Sequence, residues 1–88
     1  MLRRDFILGE KKYIKFKATS YDGVPVIIIH AAYELLKDNV VVSSGACEIN
    51  GESFMALIEP LNLGEHVLEV TYTVAPETRK VRVAINVT

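Results

Sequence analysis

From Gly64 to Thr88, apolar and polar residues alternate almost without a break. Leu68, Val70, Tyr72 and Val74 fall on one face of a first strand; Val81, Val83, Ile85 and Val87 fall on one face of a second. A period of two lets a strand bury one side and wet the other, and an amphipathic helix cannot carry it. Pairing Val74 with Arg79 leaves Ala75-Pro76-Glu77-Thr78 as the connection, with Pro76 where a type I turn favours a fixed φ. In this register Tyr72 faces Val81, Val70 faces Val83 and Leu68 faces Ile85. Thr73 meets Lys80 and Thr71 meets Arg82 on the other face. A one-residue slip would expose every apolar side chain, so the pattern predicts a hairpin within a small antiparallel β domain.

Upstream the same reading continues. Phe6-Ile7-Leu8 forms a short strand closed by Gly9-Glu10, and Tyr13 to Thr19 forms another, with Ile14, Phe16 and Ala18 inward and Lys15, Lys17 and Thr19 outward. Asp22-Gly23 and Pro25 mark a turn. Val26-Ile27-Ile28-Ile29 reads as a strand covered on both sides or as a segment crossing between sheets. Between His30 and Asn39 the good helix formers would tolerate a helical turn. The reading favours a strand from Tyr33 to Lys37, because Asp38-Asn39 suits a two-residue hairpin turn with φ > 0. The returning strand starts at Val40 and runs past Gly45 to Ile49. Asn50-Gly51 is the strongest hairpin signal of the chain, and pairs Cys47 with Phe54 and Gly45 with Ala56. Glu59-Pro60 ends the next strand, and Leu61 to Gly64 leads into the last hairpin.

About seven short strands with turn residues between them predict an all-β sandwich or small barrel. Residues 1–88 make one domain, with a core on Ile14, Phe16, Leu35, Phe54, Leu68, Val70, Tyr72, Val83 and Ile85. A chain of this size hides only roughly 60–65% of its unfolded surface, so its stability is modest.

Charge adds little: 10 basic against 11 acidic residues, interspersed, give no basic stripe for nucleic acid. Lys15, Lys17, Lys80 and Arg82 read as solvated strand faces. No apolar run reaches the roughly 18 residues of a membrane span. Arg3-Arg4 resembles a twin-arginine export signal, but Gly9-Glu10-Lys11-Lys12 interrupts the apolar stretch that must follow. Starting at Met1, the chain is expected to be a whole gene product made in the cytoplasm.

Catalytic chemistry finds little support. Cys47, the single cysteine, lies beside Ala46 and Ile49 and reads as a buried thiol. His30 and His66 fall short of a zinc ligand set, and Asp22 alone falls short of a calcium site. Both histidines read as structural, His30 at a bend and His66 as a hydrogen-bonded corner. Glu48, Glu52 and Glu59 suggest no shared cleft for glycoside cleavage. Without Trp, and with four scattered Tyr, no stacking platform for sugars or bases is expected. No enzyme, cofactor or metal is expected. The residues singled out are structural: Asn50, Gly51, Gly64, His66, Tyr72 and Pro76.

Seven strands in this order, without disulfides, resemble an immunoglobulin-like antiparallel β-sandwich. Leu63 to Val70 is similar to the entry into the penultimate strand of such domains, where a Gly-x-Tyr triplet starts a tyrosine corner. His66 stands in the tyrosine's place, which implies an imidazole hydrogen bond there. More narrowly, the layout resembles small immunoglobulin-like structural proteins of tailed phages and prophages. The matching pieces are Asp22-Gly23-Val24-Pro25-Val26, Ala32-Tyr33-Glu34-Leu35, Asp38-Asn39, Ser44-Gly45, Ile49-Asn50-Gly51 and the closing hairpin. The Val26–Ile29 run is less polar than that pattern. These motifs specify turns and core rather than a role.

The resemblance implies a non-enzymatic structural or accessory assembly module, with self-association or virion components as its protein partners, cytoplasmic when made and then assembled into a virion. Nucleic acid and membrane are not expected partners. Two alternatives stay open: a cytoplasmic protein-interaction module, and an adhesion or carbohydrate-binding module.

Overall fold

The computed structural model describes residues 2–19, 23–24 and 26–88. Among them are eight strands and no helix: β1 (Leu2–Phe6), β2 (Lys12–Lys17), β3 (His30–Lys37), β4 (Val40–Ala46), β5 (Glu48–Asn50), β6 (Ser53–Ile58), β7 (Gly64–Val74) and β8 (Glu77–Val87). They form a five-stranded sheet in the order β1-β8-β7-β3-β4 and a three-stranded sheet in the order β2-β6-β5. The inward residues of both sheets make one apolar core, so the fold is all-β and sandwich-like. Leu35, Phe54, Leu68, Val70, Val83 and Ile85 are almost wholly buried, and Ile14 nearly so. Phe16 and Tyr72 are half-buried and pack on that core. Phe6, Ile58 and Val87, outside the expected core set, are also buried.

The β7–β8 hairpin keeps the expected faces in a different register. Val74 pairs with Glu77, Tyr72 with Arg79, Val70 with Val81 and Leu68 with Val83. The connection is Ala75-Pro76 alone, with a cis peptide and Pro76 at the third turn position rather than the second. A shift of two residues returns each side chain to its own face, so alternation cannot detect it. The shift also changes the polar face: Glu69, not Thr71, stands opposite Arg82, and Thr71 stands opposite Lys80.

Three further segments differ from the sequence reading. First, β1 ends at Phe6, leaving Ile7 and Leu8 exposed, and it runs parallel to β8. The apolar triplet was misleading because this edge strand buries only its last residue, while Arg3, Arg4 and Asp5 face solvent. Second, the 40–49 segment is two strands. The chain leaves the large sheet at Cys47, whose N–H donates to Ala31 O, and enters the small sheet at Glu48. Gly45 therefore pairs with Tyr33 rather than Ala56. Third, Phe54 pairs with Ile49, not Cys47, because the turn centres on Gly51-Glu52. Gly51 has φ 63°, as the first central residue of a type II′ turn requires.

The Val26–Ile29 run is the crossing segment. Val26 and Ile28 are buried, Ile27 and Ile29 are exposed, and Ile29 N–H donates to Thr73 O as β3 begins. The 30–39 segment is a strand and a tight turn, with Asp38 at φ 52° and Asn39 at φ 64°. That is the both-positive geometry of a type I′ hairpin turn. Asp22 and Pro25 lie outside the described residues; Gly23 has φ 77°.

Candidate functional site

Among the described residues two open sheets leave four edge strands, and an edge strand carries a row of backbone N–H and C=O groups without ladder partners. Charge close to the backbone, short length and bulges are the usual defences against stray pairing. Three of the edges carry charge. Strand β1 carries Arg3, Arg4 and Asp5, with Arg3 near Glu65 (3.6 Å). Strand β2 carries Lys12, Lys15 and Lys17, and Lys12 Nζ sits 4.4 Å above the Phe6 ring. Strand β5 has only three residues and includes Glu48.

The fourth edge is different. Strand β4 reads Val-Val-Val-Ser-Ser-Gly-Ala, seven residues with no charge, and all but Gly45 are exposed. Opposite Leu35 and Leu36 the chain carries one extra residue, since Ser43 pairs with Leu35 and Val41 with Leu36. Val42 is thus a bulge residue without a β3 partner. Gly45 lies against Tyr33, where a Cβ would come 3.0 Å from Cε1 and from the hydroxyl oxygen of the ring. Beside this strand Leu61 is 77% exposed. A cleft of about 360 Å³ runs between β4 and the end of β6, lined by Tyr33, Ser43, Ala46, Leu57, Glu59 and Leu61, together with Lys11. The sequence reading did not single out β4. The available signal was the absence of any charged residue between Asp38 and Glu48.

The residues expected to be structural are spread over the fold rather than gathered. Asn50 closes β5 against Ser53, and Gly51 supplies the positive φ that follows. Gly64 opens β7 at φ 102°, where a Cβ would also approach Lys37 Nζ at 3.1 Å. Lys37 Nζ donates to Leu63 O at 3.1 Å, tying the β3 end to the entry of β7. Tyr72 tilts against Phe54 with centroids 4.6 Å apart, and Phe54 stacks on Phe16 at 5.1 Å. Pro76 sits in the β7–β8 turn.

His66 is 2% exposed and points inward from β7. Its Nδ1 lies 3.0 Å from Gly64 O, which accepts a bond when that nitrogen carries the proton. The ring then keeps Nε2 as an acceptor, and Nε2 is buried without a partner. The imidazole therefore caps its own turn instead of reaching further upstream as a tyrosine would. His30 is exposed at the start of β3 and is not a bend residue.

Cys47 is buried where the chain changes sheets, and burial pushes its thiol up to about 11. A thiol held protonated is a poor nucleophile. Of the three glutamates weighed for glycoside chemistry, only Glu59 lines the cleft. Among the described residues no three of His, Cys, Asp and Glu come together, and no helix is long and apolar enough to cross a membrane. On the outer face of the β7–β8 hairpin, Arg82 Nε donates to Glu69 Oε2 at 2.8 Å and Lys80 Nζ lies 3.4 Å from Oε1. The Arg82 hydrogen bond, helped by Lys80, holds the Glu69 carboxyl below the usual range.

No family model and no curated protein matches this chain. A crystal structure described only as an engineered protein is similar in backbone, with a TM-score of 0.75 over 99% of this chain at 14% identity. The chain spans 18% of that protein's length. At such identity the likeness bears on the fold alone.

Proposed function

We propose that this chain is a non-enzymatic assembly module with immunoglobulin-like strand topology, of the kind found among structural proteins of tailed phages and prophages. The strand order supports the topology. Strands β2, β6 and β5 stand as B, E and D of such a sandwich, and β3, β7 and β8 as C, F and G. Strand β4 then adds beside C, and β1 adds beside G. His66 stands two residues before the inward Leu68, where the corner tyrosine of these domains falls. On this reading residues 1–88 act as one module, made in the cytoplasm and carried into a particle, with protein partners rather than nucleic acid or membrane.

The observation that carries the assembly reading is the uncharged, exposed edge β4. Such an edge offers main-chain hydrogen bonds to any strand that adds to it. Mass spectrometry of purified tailed-phage particles from the induced source strain tests the reading. The chain should appear among the particle proteins, and its gene should neighbour capsid or tail genes. Absence from every particle, with no structural genes beside its own, would shift the reading to a cytoplasmic interaction module.

A further inference from the structure

Strand β1 is lightly anchored. Among the described residues it pairs with β8 alone, over Leu2–Phe6, and Phe6 is its one buried side chain. The next strand, β2, belongs to the other sheet, so the chain crosses between sheets directly after β1. It crosses through a turn over residues 7–10. Glu10 N–H donates to Ile7 O at 2.9 Å, and Ile7 N–H donates to Glu10 Oε1 at 2.6 Å. These residues suit a turn badly. Ile7 and Leu8 continue the apolar run that starts at Phe6, yet they are 65% and 46% exposed. Gly9 holds φ 97°, a conformation that strains any residue with a Cβ. Local preference here is for an extended chain, and the closed fold denies it.

We propose that two copies of the chain exchange β1 reciprocally, each strand leaving its own β8 and entering the same slot of the other copy, with residues 7–10 opening as the hinge. The occupant of that slot is known, because the β8 edge from Val83 to Val87 and the core position of Phe6 already hold β1. A second copy carries the identical segment. The exchange keeps the β1–β8 ladder, the buried Phe6, the Arg3–Glu65 pair and the Lys12 ammonium over the Phe6 ring, all made between copies. It gives up the two hydrogen bonds of the turn. In return Gly9 leaves its positive φ, and the opened hinges bring Ile7 and Leu8 of the two copies together across the two-fold. Extended, residues 7–11 reach about 17 Å, enough to pass from one copy to the next. Reciprocal exchange is isologous and closes at two copies. A tethered β1 competes for its own slot at an effective concentration on the order of millimolar, so the exchanged dimer needs comparable protein concentrations. The exchange uses the edge of the large sheet opposite β4 and stands independently of the assembly reading.

Arg3 stands opposite Ala84 in the β1–β8 pair, so Arg3→Cys with Ala84→Cys places two thiols within disulfide reach. Refolded under reducing conditions at about 10 μM and then oxidised, this variant should run as a monomer on a non-reducing gel. Refolded at about 1 mM, it should run as a covalent dimer, since each disulfide then joins two copies. Light scattering coupled to size exclusion should show the same passage from monomer to dimer in the unaltered chain. Gly9→Val strains only the closed turn, because its Cβ meets nothing within 4 Å, and should raise the dimerisation constant at least about tenfold. Circular dichroism checks that both variants keep the strand fold. An unaltered chain that stays monomeric at about 1 mM overturns the proposal. So does a dimer whose paired cysteines stay within one chain, which would place the contact on another surface. A folded Gly9→Val that dimerises no better than the unaltered chain overturns it as well.

Discussion

Phe54 is the residue through which the two sheets are most directly joined. It is 1% exposed on β6, stacked on Phe16 of its own sheet and tilted against Tyr72 of the other, with centroids at 5.1 and 4.6 Å. Phe54→Ala removes the middle ring of this trio and leaves a cavity that the neighbouring strands, fixed by their ladders, fill only in part. Changes of this kind cost about 3–5 kcal/mol. At about 0.05–0.15 kcal/mol per residue, a chain of 88 residues has a total of roughly 4–13 kcal/mol. The variant should therefore lose a large share of its stability, and sit near unfolding if the wild type lies at the low end. Phe54→Leu keeps much of the volume and gives up the ring contacts, for a loss of about 1–2 kcal/mol.

Urea unfolding followed by circular dichroism, extrapolated linearly to water, measures these differences. Ile49→Ala is the internal control. Ile49 stands directly opposite Phe54 in the β5–β6 register, yet it is 40% exposed on an edge. Its loss should stay below about 1 kcal/mol, because little area leaves contact with the core. The double variant Phe54→Ala/Tyr72→Ala should be less destabilised than the sum of the singles, by about 0.5–1.5 kcal/mol, since the pair shares one contact. A Phe54→Ala loss under about 1 kcal/mol, or equal losses at Phe54 and Ile49, would refute this account of the core.

Gly51→Val should cost about 1–3 kcal/mol, because φ 63° strains a β-branched residue; Gly51→Asn should cost less than half as much, and equal melting of both with the wild type would misplace the turn. With a thiol near 11, Cys47 should react with a thiol reagent at about pH 8 only after unfolding, its thiolate being roughly one part in a thousand. The same burial gives stability that is complete below the ordinary 9.0 and is lost as pH rises towards about 11, so Cys47→Ala should flatten the alkaline slope. Glu69, held below its ordinary 4.5 by Arg82 and Lys80, contributes stability above that value that is lost as pH falls. Glu69→Gln should soften the acid slope, cost under about 1 kcal/mol at neutral pH and matter less in high salt, as half-wet ion pairs do.

How far the sequence reached depended on which physical quantity carried each answer. Burial repeats every two residues along a strand, so the faces of β2, β7 and β8 were legible from alternation, whereas β3 was legible only through the Asp38-Asn39 turn that ends it. Register is the position of one strand along another, and alternation fixes it only to within two residues. The errors of pairing at Phe54 and at Val70 are shifts of two with every face preserved, while Gly45 was assigned to the wrong sheet. Changes of sheet leave almost no local mark. The break at Cys47 lies in a run whose residues all suit a strand, and it shows only when Ala31 accepts the Cys47 N–H. Edges are the hardest to read, because an edge is defined by the strand that is missing beside it. Once the order is in hand, the earlier composition acquires a meaning. The lysines of β2 and the arginines of β1 lie where a neighbour must be refused, so they do more than solvate a face. By the same reasoning the run of valines and serines in β4 is a permissive edge, and its lack of charge counts as a specific feature of the chain. The assembly reading rests on that asymmetry between one edge and three others.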